Sequence, residues 1–237
     1  MITLYTNGDS WTQGDELGLP YSEHETEAEQ YYWSWPWQLH KLLGTTMCFN
    51  DAVKGTSNNR IFRRTTNFIR NYNKHYNPRE LVVVICWTTL DRDEIPIDVN
   101  DTGWHIPIQM YGVKLPNHSE ISKLDATTTE ALNQIHKPYT MTLPGIKVRS
   151  ELQYSRMWNL KQICDSLGIK LIQSWALDIP QFDPTHNDFV KEYIEDIKYL
   201  PEIFINYCRK KNYPLGPGGH CYKEGHEGWA KYIYENI

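Results

Sequence analysis

Met1-Ile2-Thr3-Leu4-Tyr5-Thr6-Asn7-Gly8-Asp9-Ser10-Trp11 opens the chain and decides its reading. Ile2–Tyr5 mixes β-branched, apolar and aromatic residues, which favour an extended and buried strand. Asn7, Gly8 and Asp9 supply turn chemistry, so Ser10 stands where the chain leaves that strand. Ligands of open α/β sheets bind at the carboxyl ends of strands, which makes Ser10 a candidate site residue. Gly, Asp and Ser are also ordinary turn residues, and the triplet by itself proves little.

The remaining segments extend the same pattern. Trp35–Gly44 reads as a helix with Pro36 in its first turn and a glycine stop, and Thr46–Asn50 as a second strand. Asn58–Tyr76 places Ile61, Thr65, Phe68, Ile69 and Tyr72 on one helical face. Leu81-Val82-Val83-Val84-Ile85-Cys86-Trp87 is a continuous apolar run, the mark of a parallel strand covered on both faces. Further helices are expected over Glu151–Leu167, Asn187–Tyr199 and Glu224–Ile233, with a strand over Ile169–Gln173. Strands that alternate with helices predict right-handed βαβ units. Residues 88–145 lack periodicity and read as a long, loop-rich insertion with short helices, set within one domain spanning residues 1–237.

Bulk properties remove several classes. The formal net charge of -5 argues against a nucleic-acid binder held by a basic face. The most basic stretch, Arg60–Arg64, has helical spacing and reads as a solvated helix face. No apolar run approaches the ~20 residues needed to cross a bilayer. No basic region followed by an apolar stretch opens the chain, so the expected location is cytoplasmic. The cysteines Cys48, Cys86, Cys164, Cys208 and Cys221 are odd in number and nowhere form Cys-x-x-Cys, so a reduced protein without a disulfide framework is expected. Of the nine Trp and sixteen Tyr many are expected to pack the core, and a surplus also suits a surface that stacks on sugar rings.

Four separated segments, in order along nearly the whole chain, resemble the SGNH hydrolase family, also called GDSL-type esterases and lipases. They are Thr6–Ser10, Phe49–Ile61, Ile85–Thr89 and His220–Ala230. The resemblance is to a divergent member, of phage or bacterial type. It implies a three-layer α/β/α sandwich with a mostly parallel sheet and flavodoxin-like topology. It also implies Ser10 as nucleophile, His220 as base, and the N–H groups of Ser10 and Gly55 as oxyanion donors. No cofactor and no metal are implied.

A serine hydroxyl attacks an ester only when a base removes its proton, and histidine suits that task. The oxyanion that forms needs fixed N–H donors, one of which typically contributes ~3 kcal/mol. The family's oxyanion asparagine falls near Thr88 here, with Asn58 or Asn59 as substitutes. Its acid, three residues before the histidine, is replaced by Pro217 within Gly216-Pro217-Gly218-Gly219. A backbone carbonyl or another acid, with Asp178 as a candidate, must then orient His220. Asp9, Trp11, Trp87, Arg92 and Glu94 are expected to line the substrate site, and Trp35 and Trp37 are available for stacking or for the core. His226 is expected to cap or pack the last helix beside Trp229.

The expected activity is hydrolysis of a small acyl ester, an O-acetyl group on a carbohydrate, through an acyl-serine intermediate. The expected partner is a small-molecule or carbohydrate ester, with neither nucleic acid nor membrane; the sequence does not fix an oligomeric state. Transfer of the acyl group to an acceptor other than water is a variant of the same chemistry. The alternative is a non-catalytic carbohydrate-binding or virion-associated protein on a degenerate SGNH fold, since fold alone does not assign function.

Overall fold

Four strands pair in parallel in the order β2-β1-β3-β6, the frame on which the rest of the chain is hung. The computed structural model describes residues 2–17, 31–97, 104–109, 130, 134, 146–177 and 195–237. The elements are β1 (Thr3–Asn7), α1 (Ser10–Gln13), α2 (Trp35–Leu43), β2 (Met47–Asn50), α3 (Asn58–Tyr72), β3 (Leu81–Trp87), β4 (Arg92–Ile97), β5 (Trp104–Gln109), α4 (Ile146–Leu167), β6 (Lys170–Trp175), α5 (Phe204–Lys210) and α6 (Lys223–Glu235).

Successive side chains of a strand point to opposite faces, and both faces of this sheet are covered. Leu4, Val84, Cys86 and Ile172 join Trp35, Leu39, Phe204, Trp229 and Ile233 in one core, built with α2, α5 and α6. Tyr5, Leu81, Val83, Ile85 and Trp87 join Ile61, Ile69, Met157 and Leu160 in the other, built with α3 and α4. This double burial explains why β3 is apolar without interruption. The architecture is the expected three-layer α/β/α arrangement.

From β1 the chain crosses to β2 on one side and then to β3 on the other, so its direction of travel reverses between β1 and β3. The crevice at the carboxyl ends of those two strands is where such sheets take ligands. Gly8 closes the approach: a Cβ there would lie 2.8 Å from the Cys86 carbonyl oxygen.

Three expectations change. Residues 92–109 carry an antiparallel hairpin of β4 and β5, with Ile95 opposite Ile106. Sequence periodicity hid it because Pro96 and Pro107 interrupt the alternation. The helix expected over Asn187–Tyr199 lies mostly outside the described residues, and from Ile197 the chain is not helical. There the Leu200 N–H donates to the Gln173 carbonyl at 2.8 Å, and Ile203 bridges Trp175, so the segment runs along the sheet edge. Finally, Cys208 and Cys221 form a disulfide, against the expectation of five reduced thiols. The fold brings α5 beside the segment before α6, a proximity that spacing in sequence does not reveal. Cys48, Cys86 and Cys164 are free. No helix among the described residues is long and apolar enough to cross a membrane.

His226 is fully buried on α6 and accepts the Trp35 N–H at Nδ1, 3.0 Å away, while its ring meets Phe204 edge-on. Burial, helped by the nearby His220, drops its pKa from 6.5 to about 3. Across that window the unfolded chain binds a proton at this position and the folded chain does not, so stability falls as pH falls. Urea unfolding at a series of pH values should show a loss of about 1.4 kcal/mol per unit from this group. His226→Asn, whatever its own cost, should flatten the slope between pH 6.5 and 3; an unchanged slope would contradict a neutral buried imidazole.

Candidate active site

Asp9 ends the turn after β1 and caps α1, its Oδ1 accepting the Trp11 N–H at 3.1 Å. The N–H groups of Thr12 and Gln13 both bond the Asp9 carbonyl. Among the described residues the Ser10 N–H makes no such bond and stays outside the helix ladder. Helix α1 is a single turn, because Gly14 adopts a left-handed φ of 95° and returns its N–H to the Ser10 carbonyl.

That early stop swings the chain back toward Ser10 and carries Glu16 with it. Glu16 itself has a φ of 65°, a conformation that costs a non-glycine residue about 1–2 kcal/mol. Its carboxylate offsets that strain by gripping a segment more than two hundred residues away. Oε1 accepts the Gly218 N–H at 2.6 Å, and Oε2 accepts the His220 N–H at 3.1 Å and approaches His220 Nδ1 at 3.0 Å. The far ring nitrogen, Nε2, lies 2.7 Å from Ser10 Oγ. Serine, imidazole and carboxylate thus stand in one hydrogen-bonded line.

Two glycines of the Gly-Pro-Gly-Gly segment, Gly216 and Gly218, lie against this carboxylate. A Cβ at Gly216 or Gly218 would lie 2.8 Å from a Glu16 oxygen, so a larger residue there would have to push the carboxylate out of its present place. Partial burial works to raise the Glu16 pKa. The N–H groups of Gly218 and His220 and the imidazole outweigh it, leaving the carboxyl below its ordinary 4.5. Trp11 lies against the His220 ring at 5.3 Å and against Phe204 at 5.1 Å, which fixes the imidazole's flank.

Glu16 was not singled out in the sequence. It sits in a polar acidic stretch without periodicity, whereas the family pattern points to the position three residues before His220, where Pro217 stands. Asp178, the acid considered there, lies outside the described residues.

The loop after β2 is stitched to the same corner. The Val53 N–H donates to the Gly8 carbonyl at 3.3 Å, the Lys54 N–H to Gln13 Oε1 at 2.7 Å, and Asn50 Nδ2 to the Thr12 carbonyl at 3.1 Å. Gly55 turns there with a left-handed φ of 71°.

Other expected site residues are committed elsewhere. Thr88 Oγ1 donates to Asp9 Oδ2 at 2.6 Å, and Arg92 Nη1 bonds both of those oxygens at 2.9 Å. Asn58 uses its amide on the backbone of Thr88 and Thr89. Neither Thr88 nor Asn58 therefore offers the free side-chain donor that an oxyanion role requires. Trp87 is wholly buried with its indole N–H on Gln173 Oε1, so it is a core residue and no stacking platform. Glu94 is buried between Ser57 and Arg63, and Asp9 is buried on Arg92; neither faces a substrate. Trp35 lies in the core, and Trp37 packs on Tyr32 and His40. Arg92 borders a cavity shared with Asn59 and the first turns of α4.

Comparisons with known proteins follow the fold. A family model described as a family of unknown function, DUF6071, matches residues 20–130, less than half of the chain. A search of the curated proteins finds no match. Among solved structures the chain is similar to a lipolytic protein of the G-D-S-L family from Desulfitobacterium hafniense DCB-2, at 13% identity and TM-score 0.46, with all of both chains covered. It is similar to phospholipase A1 from Streptomyces albidoflavus NA297, at 11% identity and TM-score 0.47, covering 99% of each chain. It is also similar to a family two carbohydrate esterase from Clostridium thermocellum solved with cellohexaose, at 14% identity and TM-score 0.45, covering 100% of this chain and 63% of that one.

The Asp9–Arg92 pair is a second testable point. Arg92→Met would leave a wholly buried carboxylate without its cation. Loss of one partner from such a pair typically costs about 3–5 kcal/mol. Urea unfolding should show a loss of that order; a change below about 1 kcal/mol would mean that Thr88 and the Trp11 N–H suffice.

Proposed function

We propose that this protein is a serine esterase that removes a small acyl group, an O-acetyl ester on a carbohydrate, through an acyl-serine intermediate. The observation that carries the reading is the line Ser10 Oγ–His220 Nε2–His220 Nδ1–Glu16 Oε2, with separations of 2.7 and 3.0 Å. Such a line does one thing well: it removes a hydroxyl proton as the oxygen attacks and holds the resulting imidazolium beside a carboxylate.

In this mechanism Ser10 Oγ adds to the ester carbonyl carbon while His220 Nε2 takes its proton. The carbonyl electrons move onto oxygen, and the N–H groups of Ser10 and Gly55 stabilise that charge. Collapse breaks the bond to the sugar oxygen, which leaves as the alcohol with the proton from His220. Water, deprotonated by the same imidazole, then attacks the acyl-serine and releases the free acid. Glu16 stays ionised throughout, and its lowered pKa keeps it so into acidic solution. It orients Nδ1–H and never takes the proton.

The carbohydrate part of the reading rests on composition, in particular the aromatic-rich and polar segments that flank these residues in sequence. Acyl transfer to a sugar acceptor in place of water would use the same steps. A second reading, binding without turnover, is favoured by one observation: the Thr88 hydroxyl is held by Asp9 and Arg92, so backbone N–H groups are the only oxyanion donors proposed.

Turnover of p-nitrophenyl acetate separates the two. The esterase reading expects hydrolysis that disappears in Ser10→Ala and covalent labelling of Ser10 by a fluorophosphonate. Equal rates for both proteins, with no label, would leave the binding reading. Glu16→Gln keeps the size of the side chain but removes its charge and its ability to accept from both Nδ1–H and two backbone N–H groups. It should lower kcat by on the order of a hundredfold or more with little change in KM.

A further inference from the structure

Beyond the β3 end of the sheet, Arg92, Arg149 and Arg156 border a cavity of about 70 Å³ together with Asn59, Gln153 and Asp93. This volume is several times what one water molecule requires. Three guanidiniums and the Asp93 carboxylate share this lining; Arg92 is paired with Asp9, and Arg156 lies in the field of both Asp93 and Glu94. Asp93 Oδ1 is already engaged by Asn59 Nδ2 and by the Glu94 N–H. Arg149 reaches from α4 to the Leu90 carbonyl at 2.9 Å, and Arg92 holds Asp9 from its other side. Gln153 is wholly buried, and both its amide nitrogen and its amide oxygen lack hydrogen-bond partners among the described residues. A buried amide left unpaired is costly, and such groups are rare unless a ligand or water completes them. Burial also pushes the Arg156 pKa down, a sign that its charge is poorly solvated.

We infer that this cavity is a subsite for an anionic oxygen group, a carboxylate or a phosphate, carried by the substrate whose ester reaches Ser10. The inference deepens the esterase reading and rests on it for the link to Ser10, but the subsite can be tested alone. Arg92 ties this lining to the turn that carries Ser10, since the Asp9 it holds immediately precedes Ser10 in the chain. Guanidinium groups offer paired donors that match the two oxygens of a carboxylate or phosphate, and Gln153 supplies a further N–H at a position closed to solvent. A neutral acetylated sugar would bring no anionic oxygen to the Arg156 guanidinium or to the unpartnered Gln153 amide. The substrate class is thereby narrowed to acylated acidic or phosphorylated sugars.

Three acetylated probes distinguish the cases: methyl glucuronoside, glucose 6-phosphate and methyl glucoside. Wild-type protein should deacetylate at least one anionic probe with kcat/KM about tenfold to a hundredfold above the neutral one, the range of one or two charge-assisted hydrogen bonds. Arg156→Gln should shrink that ratio, and Gln153→Leu should shrink it less. Which anionic probe is preferred identifies carboxylate or phosphate. Equal kcat/KM for all three, or a ratio unchanged in both variants, overturns the subsite. If no probe is turned over, the esterase reading fails separately. Calorimetric titration with unacetylated methyl glucuronoside and glucose 6-phosphate then decides the cavity: binding that weakens in Arg156→Gln sustains it, and no binding to either refutes it.

Discussion

The grip of the Glu16 carboxylate on the Gly216–His220 segment is the constraint on which the rest of this corner depends. One side chain takes two backbone N–H groups and faces one imidazole nitrogen, so it sets the course of the segment and the aim of the ring together. Charge-assisted bonds of this kind are short and roughly twice as strong as neutral ones. Around them lie glycines where the carboxylate comes close, a proline that continues the turn, and a one-turn helix whose early end delivers Glu16 at all. The left-handed backbone at Glu16 is local strain held by those contacts.

A second layer of buried polar groups supports the same crevice from behind. Asp9 joins the cap of α1 to Thr88 at the end of β3 and to Arg92 at the start of β4. Glu94, two residues further along β4, joins Ser57 at the head of α3 to Arg63 on its first turns. Both carboxylates are removed from water and paired, which fixes the hairpin's base against two helix starts while contributing less to stability than apolar packing would. Their service is register.

How much of this was legible in the sequence depended on which signals are local. β3 is apolar from Leu81 to Trp87 and was readable to the residue, because double burial writes itself as an unbroken run. Ser10 and His220 could be paired from the order of four segments, and the structure brings them to hydrogen-bonding distance. Glu16 could not be read. Its partners lie across the chain, its neighbours Asp15 and Glu29 look the same, and no periodicity marks a loop carboxylate. The Cys208–Cys221 pair was hidden for the same reason, and α5 because seven residues barely complete two turns. Trp87 shows the converse error: an aromatic residue at a strand end looks like a binding platform, and only packing shows that it faces Gln173 inside the core.

The order of these groups along the chain bears on what a shortened chain can hold together. Ser10 and Glu16 lie on one side of α5 in the chain and His220 on the other, separated by 210 and 204 residues. A truncated chain that stops before His220 holds a serine without a base and a Glu16 without the amides that tame its strain. The Ser10–His220–Glu16 line is therefore a product of the complete fold: its three members meet only when α5 and the segment before α6 are docked beside the first strand.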